Sequence, residues 1–311
     1  MTNLSLPSCP DIAGAVIWTD GRCVPEGITH PFAPWLLDYA LPVVALVALV
    51  FMVRGALEQH KLTWMLMISI ASASTWWLET FGDWGQHLSY SPVFNHYVLD
   101  WTYTAPHNPL WMPLMYAVYW VAHAWAILKL AEWGNVKFGW SLGRGILLLS
   151  VPLTFVWNLV IEGFAAWAGW WTYEPGIGPV LDMGRGNWPL LWPMLLMFGW
   201  INLVAWVVGP PDEAARFNKL EKLFGLHKLV QRVGWFNPDR AASRKALKPD
   251  TGSTVAIAIR AEVLDPADGT VKFQVVRMLC WLLFFNVTFA LTLDFPLIAF
   301  RLISGWDTPY F

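Results

Sequence analysis

Glu79, Asp83 and His87 recur at four-residue intervals in the stretch WWLETFGDWGQH. On an unbroken helix this spacing projects all three side chains from one face. Gly82 and Gly85 interrupt the stretch, so the helix is as readily expected to stop at Gly82. Glu79 and Asp83 would still be near neighbours. Two carboxylates close together in apolar surroundings repel and lose solvation, and one that keeps its proton becomes a general acid near neutral pH. A second constellation, WNLVIEGFAAWAGWWTYEPGIGPVLDMGRGNWP, holds Asn158, Glu162, Trp170, Tyr173, Asp182 and Arg185. A third, YTAPHNPLWMP, sets His107 and Asn108 among prolines that restrict the backbone. This reading assigns acid–base roles to Glu79, Asp83 and Glu162. His87, His107, Asn108, Asn158, Tyr173, Asp182 and Arg185 become polar contacts to a substrate, with Trp77, Trp84 and Trp170 as aromatic lining.

The elements that must carry these groups are membrane helices. The 311 residues are 56% hydrophobic and 14% charged, against about 25% charged in a soluble domain, and the mean hydropathy is +0.44. Twenty-three tryptophans suit membrane interfaces and aromatic cavities. Six stretches approach the ~20 apolar residues of a span: Pro34–Val53, Leu62–Phe81, Leu110–Leu130, Gly145–Gly169, Trp188–Val208 and Phe273–Leu297. The odd-numbered loops between them hold the Lys and Arg residues, eleven of them in Gly209–Lys272, while the even loops hold Arg185 alone. The positive-inside rule then places both termini outside the plasma membrane. The expected fold is an all-α polytopic bundle: an external tail (1–33), a five-helix core (34–208), a cytoplasmic loop (209–272), and a sixth helix with an external tail (273–311). The tail lacks the basic and apolar regions of a signal peptide, so the first span is expected to act as its own insertion signal. No internal repeat is evident between the two halves.

With this topology Glu79, Asp83 and Glu162 all fall near the outer face, and Glu79 and Glu162 can face each other across a cavity. Ionisable groups at membrane depth are costly, which favours function over mere tolerance for these two. Blander readings serve elsewhere. His96, Asp100 and Glu174 read as solvated loop groups, Asp294 and Arg301 as an interfacial pair, and His123 as a hydrogen-bonding core histidine. Span-end tryptophans can equally form an anchoring belt. Cys9 and Cys23 share the external tail, where an oxidising environment permits a disulfide worth about 3 kcal/mol in chain entropy. Cys280 reads as a packing residue. Glu213–Trp235 has helical apolar spacing with interleaved lysines, and either lies in the inner headgroup layer or packs on the bundle ends. Thr254–Val263 is β-like. The carboxylate and histidine spacings lack metal-site and di-iron patterns, so no metal or cofactor is expected. Hydrolase, nucleotide-binding and nucleic-acid-reading motifs are absent.

The stretch from Trp76 to Pro193 resembles the AveC-like spirocyclase family of actinobacterial membrane proteins. The resemblance is carried by Trp77–Asp83–Trp84–Tyr90, by PHNPLWMP, and by Glu162 followed by GWWTYEPG and a Gly–Pro-rich turn. It departs from the family at Asp83, which is followed by Trp84 and Gly85 rather than Pro and Asn, with Glu79 added. The resemblance implies spiroketal-type cyclisation and dehydration of a lipophilic polyketide, without a redox cofactor. A membrane terpene or carotenoid cyclase would need the same acids and aromatic lining. A non-catalytic lipid-binding or transport-associated subunit is the reading from another class. The expected partners are a lipophilic small molecule and membrane lipids, with protein partners open.

Overall fold

Prolines set the local geometry of the long helices. Proline has no N–H, and its ring crowds the carbonyl four residues back, so the preceding turn must widen. The chain does this three times, with π-helical turns at Leu36–Ala40, Ile146–Ser150 and Ala290–Asp294, each ending two residues before Pro42, Pro152 or Pro296. The computed structural model describes residues 6–176, 178–191, 194–209, 216–232, 234–239 and 265–311. Within these the chain is mostly helical. Four helices are long and apolar enough to cross a membrane: α1 (Leu36–Glu58), α4 (Met112–Phe138), α5 (Leu142–Ala168) and α9 (Val271–Ser304). Between α1 and α4 lie α2 (Trp64–Ala73) and α3 (Trp76–Gln86); after α5 comes α6 (Met194–Val208).

The second apolar stretch is thus split. Thr63 caps α2 by accepting from the Leu66 N–H at 3.3 Å. At the break, the Ser74 and Thr75 hydroxyls turn back onto the Ala71 and Ser72 carbonyls at 2.6 and 2.8 Å, a competition with the helical ladder that bends helices. Helix α3 then continues through both glycines to Gln86 and closes at His87, whose φ is +60°. The glycines serve packing. A Cβ at Gly85 would lie 2.7 Å from the Leu297 Cβ and 2.9 Å from the Ile298 nitrogen, so only glycine lets α3 approach α9 this closely.

Helix α4 is central, packing against α1, α2, α5 and α6. Trp120, Trp200, Phe285 and Phe289 are buried together at its waist. His123 is buried beside them, its ring stacked 5.1 Å from Trp157. Neither ring nitrogen has a partner among the described residues, so it is not the expected interhelical hydrogen-bonding group. Helix α1 is the least enclosed, exposing Val43, Val44, Val47, Val50 and Phe51, an apolar face suited to lipid.

Short strands roof one end of the bundle. β1 (Ala15–Ile17) and β2 (Cys23–Pro25) form a hairpin closed by a Cys9–Cys23 disulfide. β3 (Leu88–Tyr90) pairs with β6 (Trp171–Tyr173), β4 (His96–Val98) with β5 (His107–Pro109), and β7 (Val180–Asp182) with β8 (Asn187–Pro189). The N-terminal segment docks on this roof: the Ser91 hydroxyl donates to the Ile28 carbonyl at 2.6 Å. The C-terminal Tyr310 and Phe311 line a small recess there with Arg22 and Cys23. At the far end, α7 (Lys219–Leu223) and α8 (Leu226–Leu229) are separated by Gly225 at φ +69°. Phe217, Leu226 and Val230 bury against Phe273, which favours packing on the bundle over a helix lying in headgroups. Thr254–Val263 lies outside the described residues.

Candidate functional site

Glu79 on α3 and Glu162 on α5 line one cavity of about 40 Å³. Two regular patterns build its walls. Met112, Met115, Tyr116 and Tyr119 fall at i, i+3, i+4 and i+7 of α4 and so share one helix face. Leu88 and Tyr90 of β3, and Trp171 and Tyr173 of β6, share one face of their ladder because side chains alternate along a strand. These walls supply donors to the acids. Trp171 Nε1 and Tyr173 OH donate to Glu162 Oε2 at 2.9 and 3.0 Å. Tyr116 OH donates to Glu79 Oε2, and Tyr90 OH lies 3.5 Å from Glu79 Oε1. Tyr119 OH donates to Asn158 Oδ1 at 2.8 Å, which ties Asn158 to the wall from behind.

Two further carboxyls lie behind Glu79. Asp83, buried one turn along α3, takes a hydrogen bond from Gln86 Nε2 at 3.0 Å, while its Oδ2 finds no donor among the described residues. Asp294 is 1% exposed, and neither of its oxygens has a donor among the described residues. It stands at the end of the π-helical turn before Pro296, against Gly82, where an added Cβ would lie 3.0 Å from Asp294 Oδ1. Such turns frequently mark functional sites. The expected Asp294–Arg301 pair does not form. Arg301 lays its guanidinium 3.8 Å over the Trp84 ring and bonds to the Trp84 carbonyl and to Asp307. Among the described residues, none of Glu79, Asp83, Glu162 and Asp294 has an ion-pair partner. An isolated buried carboxylate costs several kcal/mol, so these groups need protons, a charged ligand or one another.

Most of the expected substrate contacts lie elsewhere. His87 is turned away by its left-handed backbone, and its Nδ1 sits 3.2 Å from the Pro175 carbonyl. Burial pushes its pKa down, which leaves a neutral ring. His107 joins the recess beside the N-terminal hairpin. Asn108 spends its amide on the Ala105 carbonyl at 2.7 Å. Trp77 bonds Asn286 at 3.2 Å on the outside of the bundle, and Trp170 bonds the Phe32 carbonyl at 2.6 Å. Asp182 caps the turn at Gly184, and Arg185 packs on Trp167. Trp84 holds Arg301. Of that group only Tyr173 reaches the cavity. The residues missed in sequence, Tyr90, Trp111, Tyr116, Tyr119, Trp171 and Asp294, sit where non-local packing puts them. Among the described residues no set of three or more His, Cys, Asp or Glu is grouped to hold a metal ion.

No family model, curated protein or solved structure matches the chain.

The chain does match itself. Residues 79–92 and 162–175 both read E-x-F-x-x-W-x-x-x-x-[ST]-Y-x-P. A strand hairpin follows each copy, and then Pro-Leu-x-x-Pro, at Pro109–Pro113 and at Pro189–Pro193. The expectation of no repeat therefore fails at this local scale. In the ladder Ser89 pairs with Thr172, its own equivalent, while Leu88 pairs with Tyr173 and Tyr90 with Trp171. The paired strands are thus related by a local two-fold through Ser89 and Thr172. Glu79 and Glu162 are equivalent, and so are Tyr90 and Tyr173, each a hydrogen-bonding neighbour of its own copy's acid. The copies differ at Asp83, whose counterpart is Ala166.

Proposed function

We propose that the protein is a plasma-membrane enzyme that cyclises or dehydrates a lipophilic substrate by paired acid–base chemistry, of the kind that closes a spiroketal. The observation that carries this reading is the pair Glu79 and Glu162, equivalent acids on two helices, lining one aromatic cavity with no cation paired to either. The Glu79–Asp83 pair shares one proton and delivers it to the hydroxyl oxygen of a hemiketal. The C–O bond breaks, water leaves, and an oxocarbenium ion forms. Tyr90, Tyr116 and Trp171 line the cavity, and their ring faces stabilise this cation. A second hydroxyl of the substrate attacks, the new C–O bond forms, and its proton passes to Glu162. The released water returns that proton to the Glu79–Asp83 side, so the cycle consumes no redox equivalent.

The topology belongs to this proposal: six crossings, with α2–α3 and α6 completing the four long helices, and both termini outside. It rests on the alternation of Lys and Arg between loops and on the shared roof of N-terminal hairpin and C-terminal tail. The site then lies near the outer face. A cavity of about 40 Å³ has room for roughly two or three waters, whereas a ligand of drug size needs about 300–1,000 Å³. Substrate entry therefore requires the wall to part, and the unbranched side chains of Met112 and Met115 are its most adaptable members.

The test is untargeted lipid and polyketide profiling of a deletion strain, complemented with wild type, Glu79→Gln or Glu162→Gln at equal protein level. Each Gln variant should reproduce the deletion profile. Full restoration by both would remove the acid–base assignment.

A further inference from the structure

A large cavity lies away from the acids. It measures about 990 Å³ and opens between α1, the α1–α2 link, the later half of α4 and the segment around Arg216. It is amphipathic along its length. Phe51, Met52, Trp64, Trp125 and Leu128 form an apolar side, with Phe51 and Trp125 exposed on the outside of the bundle. Lys61, Arg216 and Arg277 line the other end, drawn from three separate chain segments.

The charges at that end do not cancel. Glu221 is committed to Arg277 at 2.5 Å. Asp265 serves two cations, Lys61 at 3.2 Å and Arg216 at 2.9 Å. Among the described residues, three cations against two carboxylates leaves one positive charge in excess. Lys129 and Glu132, at the rim, neutralise each other at 2.6 Å. A cavity with an apolar slot open to the bilayer core and one surplus cation at its polar end is complementary to a phosphate monoanion attached to acyl chains. Basic pockets between membrane helices recognise anionic headgroups in this way.

We propose that this cavity is a binding site for an anionic phospholipid, with the phosphate held by Lys61 and Arg216 and an acyl chain lying along Phe51, Gly55 and Trp125. It is separate from the acid cavity. On α4 the nearest lining residues of the two, Tyr119 and Trp125, are about 9 Å apart along the axis at helical rise. Gly55 offers a means of filling the slot without disturbing the charges, because a Cβ built there meets nothing within 4 Å.

The experiment measures the thermal midpoint and the retained lipid of the delipidated full-length protein in detergent. The probes are phosphatidylglycerol, phosphatidylcholine with the same acyl chains, and inorganic phosphate. Phosphatidylglycerol should raise the midpoint and remain bound in native mass spectra, while phosphatidylcholine and inorganic phosphate should do neither. Gly55→Leu should weaken the phosphatidylglycerol response by roughly tenfold in concentration without lowering the lipid-free midpoint. Lys61→Gln with Arg216→Gln should weaken the phosphatidylglycerol response likewise, read against its own lipid-free midpoint, which falls because Asp265 loses both partners. An equal response to phosphatidylcholine would mean non-specific coating and overturn the proposal. A full response to inorganic phosphate would replace the lipid with a soluble phosphate ligand and also overturn it. Wild-type affinity in Gly55→Leu would show that the slot is not where the chain lies.

Discussion

His96 and His107 meet edge to face in the roof, ring centres 6.3 Å apart. Burial, with Arg22 and His107 nearby, pushes the His96 pKa down to about 4; burial also lowers His87 and His107. In the unfolded chain these rings take up protons at about pH 6.5. Below that pH the unfolded state binds more protons than the folded one, so folded stability falls as pH drops from 6.5 toward 4 and is complete above it. For His96 alone the loss is up to about 3 kcal/mol. The thermal midpoint in detergent should fall between pH 7 and pH 5, and His96→Leu should flatten that dependence. An unchanged slope in the variant would contradict the assignment. At this scale the sequence made the acids visible, because a carboxylate inside an apolar run has few innocent explanations. It hid their partners. Tyr90, Trp171 and Tyr173 reach the acids through a ladder joining segments 83 residues apart in sequence, and pairing over such a separation leaves no local periodicity to read. His96 and Glu174 were read as solvated. Glu174 instead accepts from Asn187 at 2.6 Å, a contact made by the β7–β8 hairpin.

Between elements, α3 and α9 approach closely beside the site. Gly85→Ala would push a methyl group into Leu297 and the Ile298 backbone, an overpacking that costs about 1–3 kcal/mol. The same substitution at Gly55, where space is open, should cost nothing of that kind. Thermal unfolding of both variants checks the contrast; equal midpoints would mean that α3 and α9 do not meet as described. This contact also explains an error of legibility. In soluble helices glycine is a breaker, so α3 seemed due to end at Gly82. The purpose of Gly82 and Gly85 depends on α9, which is more than 180 residues away in sequence. The π-helical turns were readable in principle, since each precedes a proline by a fixed interval. What could not be read is that the turn at Ala290–Asp294 would aim Asp294 at Gly82 and its neighbours.

For the whole molecule the bulk composition was enough to announce apolar helices, and four of them have the length to span a bilayer. The number of crossings was less legible because α2–α3 is bent by hydroxyls whose hydrogen bonds have no signature in hydropathy. The proposed topology has a direct check. A single cysteine introduced at Asp182 should react with an impermeant thiol reagent on intact cells, and one at Ser253 only after permeabilisation. Labelling of Ser253→Cys from outside would invert the scheme. The duplicated unit has one more consequence. Its two copies share the pattern positions, yet one backs its glutamate with Asp83 and the other has Ala166 there. Anything lying across the local two-fold therefore meets Glu79, backed by Asp83 and Asp294, on one side and Glu162, held by Trp171 and Tyr173, on the other. Its two ends are told apart by the protein before any bond changes, so the unequal surroundings of two equivalent glutamates turn a two-fold frame into a site with a direction.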